Sequence, residues 1–84
     1  MKVRIFITLK DGVLDPQGKA IHHALEGLDF AGVNDVRAGK LIELEVDPAV
    51  GRDEIDRMCH KLLANTVIEN YEIELPEAAR EKAS

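Results

Sequence analysis

The stretch from Gly32 to Asp47, GVNDVRAGKLIELEVD, constrains the fold most strongly because apolar and charged residues alternate along it. Its even positions are mostly apolar, with Lys40 as the exception, and this period of two indicates β structure with one buried face. The phase does not change across Gly39, and the stretch lacks the Asn-Gly or Asp-Gly pairs of two-residue hairpins. Either an odd-length turn makes a hairpin here, or one long strand bends at Gly39, where a missing Cβ permits a kink.

A strand and a helix precede this stretch. Residues Met1 to Lys10 alternate cleanly, which predicts a strand. Asp15 and Pro16 are predicted to open a helix, because a carboxylate at the N-cap accepts orphan N–H groups and proline fits the first helical position. The apolar stripe of this helix continues to about Leu28. Gly32 then suits a left-handed stop or turn.

A second helix and a last strand follow the stretch. Gly51 or Asp53 could cap the helix, and Asn65 is a candidate for a left-handed residue at its end. The apolar residues at helical spacing between them are Ile55, Met58, Cys59, Leu62 and Leu63. Alternation from Val67 to Leu75 predicts the last strand, which Pro76 ends.

The predicted order is strand, helix, long strand, helix, strand. This order describes an α+β fold of ferredoxin-like type, with an antiparallel sheet and two helices on one face. If the long strand straightens at Gly39, the second half of the chain cannot reach the sheet of the first half. It can then complete the sheet of another chain, which predicts a segment-exchanged dimer. A small core favours such sharing, because oligomerisation commonly compensates for marginal stability.

Length, charge and cysteine content narrow the classes of function. The 84 residues predict one domain, which we assign to residues 1–76, followed by a polar tail of residues 77–84. A net charge of −5 argues against nucleic-acid binding through phosphate neutralisation. The single cysteine excludes an internal disulfide framework. Because no apolar run approaches the roughly 20 residues that span a bilayer and the first residues do not resemble a signal peptide, we expect a cytoplasmic protein without membrane contact.

No catalytic constellation emerges from the residue pattern. His22 and His23 are adjacent on a helix and point about 100° apart, so they do not converge on one metal ion. Cys59 lies on the predicted core stripe, where thiols are usually inert packing residues. The strand glutamates are Glu43, Glu45, Glu72 and Glu74. With Arg4 and Arg37 on the same class of face, cross-strand charge pairing explains them better than acid–base chemistry.

Phe6 and Leu41 are apolar residues on strand faces that are otherwise charged. Scattered surface hydrophobes are common, but in so small a chain we favour a contact with a second subunit. The candidate subunit contacts are Phe6, Arg37, Gly39, Lys40 and Leu41. The residues assigned a structural role are Asp15, Pro16 and Cys59.

Three segments taken together resemble the PurS family, the small subunit of phosphoribosylformylglycinamidine (FGAM) synthase in bacteria and archaea. They are ITLKDGVLDPQGKAI, GVNDVRAGKLIELEVD and MCHKLLANTVIENYEIEL, and the match runs from Met1 to about Leu75. The resemblance implies a role in de novo purine synthesis. The complex makes formylglycinamidine ribonucleotide from formylglycinamide ribonucleotide, ATP and glutamine. A glutaminase subunit, PurQ, releases ammonia, and a large ATP-binding subunit, PurL, performs the amidation.

In that family the small subunit is not known as a catalyst but joins the two larger subunits and helps to form the ammonia path. The resemblance therefore implies a dimer or tetramer with PurL and PurQ as partners. It also implies that ATP and Mg are used by the complex and that no cofactor is bound by this chain alone. The alternative is a small-ligand or regulatory binding domain, because ferredoxin-like dimers can bind effectors at their interfaces. A stand-alone enzyme ranks third.

Overall fold

The structure is a computed structural model that describes residues 1–76; the predicted polar tail, residues 77–84, lies outside the described residues. The elements are β1 (Lys2–Leu9), α1 (Pro16–Gly27), β2 (Gly39–Glu45), α2 (Arg52–Met58) with a π-helical continuation (Cys59–Leu63), and β3 (Glu69–Glu74). The three strands form one antiparallel sheet in the order β2-β1-β3. The predicted α+β class and element order are confirmed. Within residues 1–76, no helix has the length and apolarity needed to cross a membrane.

The core lies between one face of the sheet and the second helix. Alternation in the central strand β1 turns Val3, Ile5 and Ile7 inward, and all three side chains are fully or almost fully buried. Ile55 and Cys59 of the second helix, one turn apart, cover them and are also fully buried. Each large aliphatic side chain buried in this way stabilises the fold by about 1.5–3 kcal/mol. The inner face of β1 is therefore the centre of the chain's own core.

The apolar stripe of the second helix divides into two parts. Ile55 and Cys59 face the sheet, whereas Met58 and Leu62 lie on the flank, and the side chain of Leu62 is 83% exposed. The helix changes from α to π geometry at Cys59, after α2 ends at Met58. Asn65 does not take the predicted left-handed conformation. Its side-chain oxygen instead accepts a hydrogen bond from the Val67 amide in the turn that leads to β3.

The predicted long strand is a strand only from Gly39 onwards, and residues 30–38 pair with no strand of the described chain. There is no hairpin at Gly39, because the residues before it form no ladder with β2. Gly39 does not have a positive φ, so backbone strain is not its reason for being glycine. A Cβ there would lie 2.6 Å from Ile7 O and 2.9 Å from Thr8 Cγ2, so the close approach of β1 requires glycine.

Helix α1 and the returning residues 30–38 form a unit that we call the arm. In the described part of the chain, no residue of α1 belongs to the core, and Gly18 is the only residue of the helix that is buried. Ile21, Leu28 and Phe30 therefore remain exposed. Only the second helix packs on the sheet of its own chain, and the apolar stripe of α1 is left without a partner inside the described chain.

Candidate subunit-contact surfaces

The outer face of the sheet, opposite the core, carries an apolar pair at its centre. Phe6 and Leu41 are direct cross-strand partners in β1 and β2. Their side chains are 37% and 45% exposed. Because this face is not covered by any described element, the two side chains form an exposed apolar patch on an otherwise polar surface.

Acidic residues surround this patch. Arg4 lies between two carboxylates, with Arg4 Nε 3.6 Å from Glu43 Oε1 and Arg4 Nη1 3.8 Å from Glu74 Oε1. The predicted cross-strand charge pairing is thus present around Arg4. The register places four glutamates on this face, namely Glu43, Glu45, Glu72 and Glu74. Three cations lie against them: Lys2, Arg4 and the Met1 ammonium, which is 3.2 Å from Glu45 Oε1. Glu72 lies directly across from Phe6. The outer face therefore combines an apolar centre with an excess of negative charge.

The other candidate contact residues lie at the base of the arm and not beside Phe6. Arg37 is not on the sheet: its Nη2 donates to Leu9 O at 2.6 Å and to Lys10 O at 3.2 Å, which ties the returning segment to the end of β1. Lys40 points to the inner side of β2, and its Nζ lies 3.7 Å from Glu69 Oε2. Arg37 and Lys40 therefore hold parts of this chain together, whereas Phe6 and Leu41 face outward.

A second uncovered surface is an apolar groove between the edge strand β2 and the flank of the second helix. The groove has a volume of about 550 Å³. Its apolar lining comes from Leu44, Met58, Leu62 and Leu63, and its charged lining comes from Glu54, Arg57 and Lys61. Met58 and Leu62, which lie on the flank of the helix and not in the core, thus line a surface beside the edge strand β2.

The base of the arm is held by the carboxylate of Asp15. Asp15 is the N-cap of α1, and its Oδ1 accepts from Gly18 N at 2.9 Å. Its other oxygen, Oδ2, accepts from Ala38 N at 2.8 Å, immediately before β2 begins. The two amide hydrogen bonds hold the pKa of Asp15 below its ordinary value despite the burial of the side chain. We call Asp15, Gly18 and Ala38 the Asp15 clasp.

The model of the PurS family, described as phosphoribosylformylglycinamidine (FGAM) synthase, matches residues 2–77. The chain belongs to the PurS family. The PurS subunit of Bacillus subtilis is 48% identical over 79 residues, which cover 90% of this chain and 93% of that protein. The family predicted from the three sequence segments is confirmed.

The solved PurS structures have the same fold. The Bacillus subtilis PurS structure superposes with a TM-score of 0.80 at 47% identity, and covers 90% of this chain and 98% of that one. A chain in the structure of PurLQS from Thermotoga maritima gives a TM-score of 0.75 at 32% identity, covering 87% of this chain and 93% of that one. The arm and the two uncovered surfaces are therefore features of a chain whose fold is that of PurS.

Gly18 is a structural residue of this PurS chain that the sequence analysis missed. A Cβ at Gly18 would lie 2.5 Å from both Val36 O and Asp15 Oδ2, so the first turn of α1 and the returning segment meet here without room for a side chain. The signal in the sequence was the glycine three residues after the N-cap, inside a helix, where glycine is otherwise unfavourable. The segment LDPQG thus encodes a close crossing as well as a helix start.

We expect Gly18→Ala to lower the melting temperature, although alanine is a better helix former than glycine. The added methyl group must displace the Asp15 carboxylate or the Val36 carbonyl, both of which are fixed by the crossing. Gly27→Ala is the matched control, because it is also in α1 and a Cβ there would meet no atom within 4 Å. Thermal denaturation followed by circular dichroism measures both; a Gly18→Ala protein as stable as Gly27→Ala would contradict the crossing.

Cys59 packs in the core of the chain and has the features of a structural residue. Its side chain is fully buried, and burial together with the nearby Asp56 carboxylate raises the pKa of the thiol.

Asp56 also accepts a hydrogen bond from the Tyr71 hydroxyl at 2.5 Å. This bond joins the second helix to β3 and raises the pKa of Tyr71 to about 12. The Cys59 thiol and the Tyr71 hydroxyl are thereby kept in their neutral forms at neutral pH.

Proposed function

We propose that this chain is the small, non-catalytic assembly subunit of an FGAM synthase, which joins a glutaminase to an ATP-dependent synthetase. The observation that carries the proposal is the PurS family match over residues 2–77, together with the likeness to a chain in the PurLQS structure of Thermotoga maritima. The partners are then the PurL and PurQ subunits of the same organism. The chain contributes surfaces to the assembly and to the path of ammonia, not reacting groups.

Self-association by segment exchange is the first part of this proposal. The arm exposes apolar side chains at Ile21, Leu28 and Phe30, and the groove beside β2 exposes apolar side chains that its own chain leaves uncovered. Both surfaces are apolar, and neither is covered within its own chain. Each surface is therefore suited to cover the other. Residues 30–38 pair with no strand of the described chain and α1 adds no residue to its core, so we place the arm of one chain in the groove of a second.

Contact with the larger subunits is the second part. Phe6 and Leu41 form an apolar centre on the face of the sheet opposite the core, and aromatic anchors of this kind dominate many protein interfaces. The acidic surroundings favour a partner surface that combines an apolar pocket with lysine or arginine side chains. We therefore assign the outer face of the sheet to the larger subunits and the groove to the second copy.

The assignment of cofactors follows from the same roles, in which this chain supplies surfaces and the larger subunits supply the reacting groups. We propose that ATP and Mg are bound by the synthetase subunit, that no cofactor is bound by this chain alone, and that the complex works in the cytoplasm. Support comes from the chemistry of the ionisable residues described above. On the outer face, Glu43 and Glu74 are paired with Arg4, and Glu45 with the Met1 ammonium, while Tyr71 is held neutral by Asp56.

Reconstitution tests the proposal. The two larger subunits are assayed for FGAM formation with and without this chain, using either glutamine or an ammonium salt as the nitrogen source. We expect the glutamine-dependent reaction to require the chain and the ammonium-dependent reaction of the synthetase to proceed without it. The ammonium reaction is the internal control for an active synthetase. Equal glutamine-dependent rates in the presence and absence of the chain would show that it is not the assembly subunit.

A further inference from the structure

The orientation of the arm depends on one carboxylate. We infer that Asp15 is a positioning residue that fixes the angle between the arm and the sheet, and that this role is separate from its role as a helix cap. The inference rests on the clasp, in which the two oxygens of one side chain bind the start of α1 and the start of β2. It goes beyond the proposed function, because it concerns how a single chain presents its arm.

The burial of Asp15 shows that the carboxylate is fully engaged. Its side chain is 7% exposed, and within residues 1–76 it is the only charged or polar residue that is buried. A buried carboxylate is tolerated when its oxygens are hydrogen-bonded. Capping α1 needs one acceptor, which Oδ1 supplies to Gly18 N. The second bond, to Ala38 N, crosses 23 residues of sequence and joins the helix to the strand that follows the arm.

The core does not provide this positioning. No residue of α1 belongs to the core of the described chain, so packing on the sheet does not fix the helix. The remaining polar contacts of the arm bind the returning segment instead: Arg37 holds it to the end of β1, and His22 Nε2 lies 2.8 Å from Val33 O. These contacts keep the arm together and attach its returning segment. The Asp15 clasp is the contact that sets where α1 itself leaves the sheet.

Two substitutions separate the clasp from the cap. Asparagine is as good an N-cap as aspartate, but it has one acceptor oxygen and therefore satisfies only one of the two amides. Serine is also a good N-cap, and its short side chain serves Gly18 N without reaching Ala38 N. Asp15→Asn and Asp15→Ser should therefore keep α1 folded and lose the clasp. Asp47→Asn is the matched control, because Asp47 accepts only from Ala49 N in a local exposed turn.

Distance measurement between two spin labels tests the inference inside a single chain. His23→Cys places one label on the exposed side of the arm, Asn70→Cys places the other on β3, and Cys59 is buried and does not react. Doubly labelled chains are diluted with an excess of unlabelled chains, so that only distances within one chain are detected. We expect a single narrow distance distribution with Asp15 and with the Asp47→Asn control. Asp15→Asn and Asp15→Ser should lose the narrow peak and give a broad distribution.

Amide hydrogen exchange gives the local result. In Asp15→Asn, protection of one of the two amides, Ala38 or Gly18, should fall by at least roughly tenfold, as expected for loss of a hydrogen bond to a charged group. In Asp15→Ser, protection of the Ala38 amide alone should fall by this factor. Narrow distributions that do not change in either variant would overturn the inference, and so would a broad distribution in the chain with Asp15. Labelled and unlabelled chains both carry Leu62→Glu, which removes the groove of a second copy as a support for the arm. The outcomes therefore report what holds the arm within one chain.

Discussion

Leu62→Glu is expected to convert the dimer of this chain into a folded monomer. Leu62 is 83% exposed in the single chain and lines the groove, so a glutamate there does not disturb the core. In the proposed dimer the partner's arm covers it, and loss of one buried leucine costs about 1.5–3 kcal/mol. A symmetric dimer contains the change twice, so the dissociation constant should rise by at least roughly a hundredfold. Sedimentation at low micromolar concentration measures the effect.

Val67→Glu is the matched control for this experiment. Val67 is also highly exposed, at 81%, but it lies in the turn before β3 and does not line the groove. We expect it to leave the dimer intact. Leu28→Glu, at the far end of the arm, should reproduce the effect of Leu62→Glu from the other side of the interface. If Leu62→Glu leaves the chain folded and dimeric, the arm does not occupy the groove.

The central strand and its core residues could be predicted from the sequence because they depend on local alternation. Val3, Ile5 and Ile7 face inward because a strand has a period of two, and Asp15 and Pro16 begin α1 because of their own backbone and side-chain chemistry. These properties are local and need no knowledge of the neighbouring elements.

The arm could not be predicted in the same way. An apolar stripe indicates that a helix face is to be covered, but it does not specify whether the cover comes from the same chain or from another. The sequence offered both alternatives at Gly39, and the structure decides against a hairpin through the path of the backbone before β2. The sequence linked the glycine at this position to a bend, whereas the constraint that the structure adds is the close approach of Ile7 O, which leaves no room for a side chain.

The clasp and the split of the second helix's stripe also required the structure. Asp15 was identified as a cap, but its second bond reaches Ala38, and nothing in the local sequence indicates a contact between residues so far apart. Met58 and Leu62 were grouped with the core residues because their spacing is helical. The structure leaves both exposed on the flank of the helix, where they line the groove.

Phe6→Ala is expected to weaken the binding of this chain to the larger subunits while leaving its dimer intact. Phe6 is at the centre of the outer face and pairs with Leu41 across the strands. Removing an aromatic anchor from the centre of an interface commonly costs 2 kcal/mol or more, which corresponds to about a thirtyfold loss of affinity. The loss of the cross-strand pair costs the fold no more than about 1 kcal/mol. The chain concentration that half-saturates glutamine-dependent FGAM formation should therefore rise by about thirtyfold.

Thr8→Ala is the matched control for this last experiment, because Thr8 lies two residues along β1 on the same face, at the edge of the apolar patch. We expect its half-saturating concentration to match that of the unchanged chain. For Phe6→Ala, the rate at saturating chain should be unchanged, because the substitution removes a binding contact and leaves the reacting groups of the larger subunits untouched. A reduced rate at saturation with normal half-saturation would assign Phe6 a role after assembly. Identical titrations for Phe6→Ala and Thr8→Ala would show that the larger subunits bind another surface.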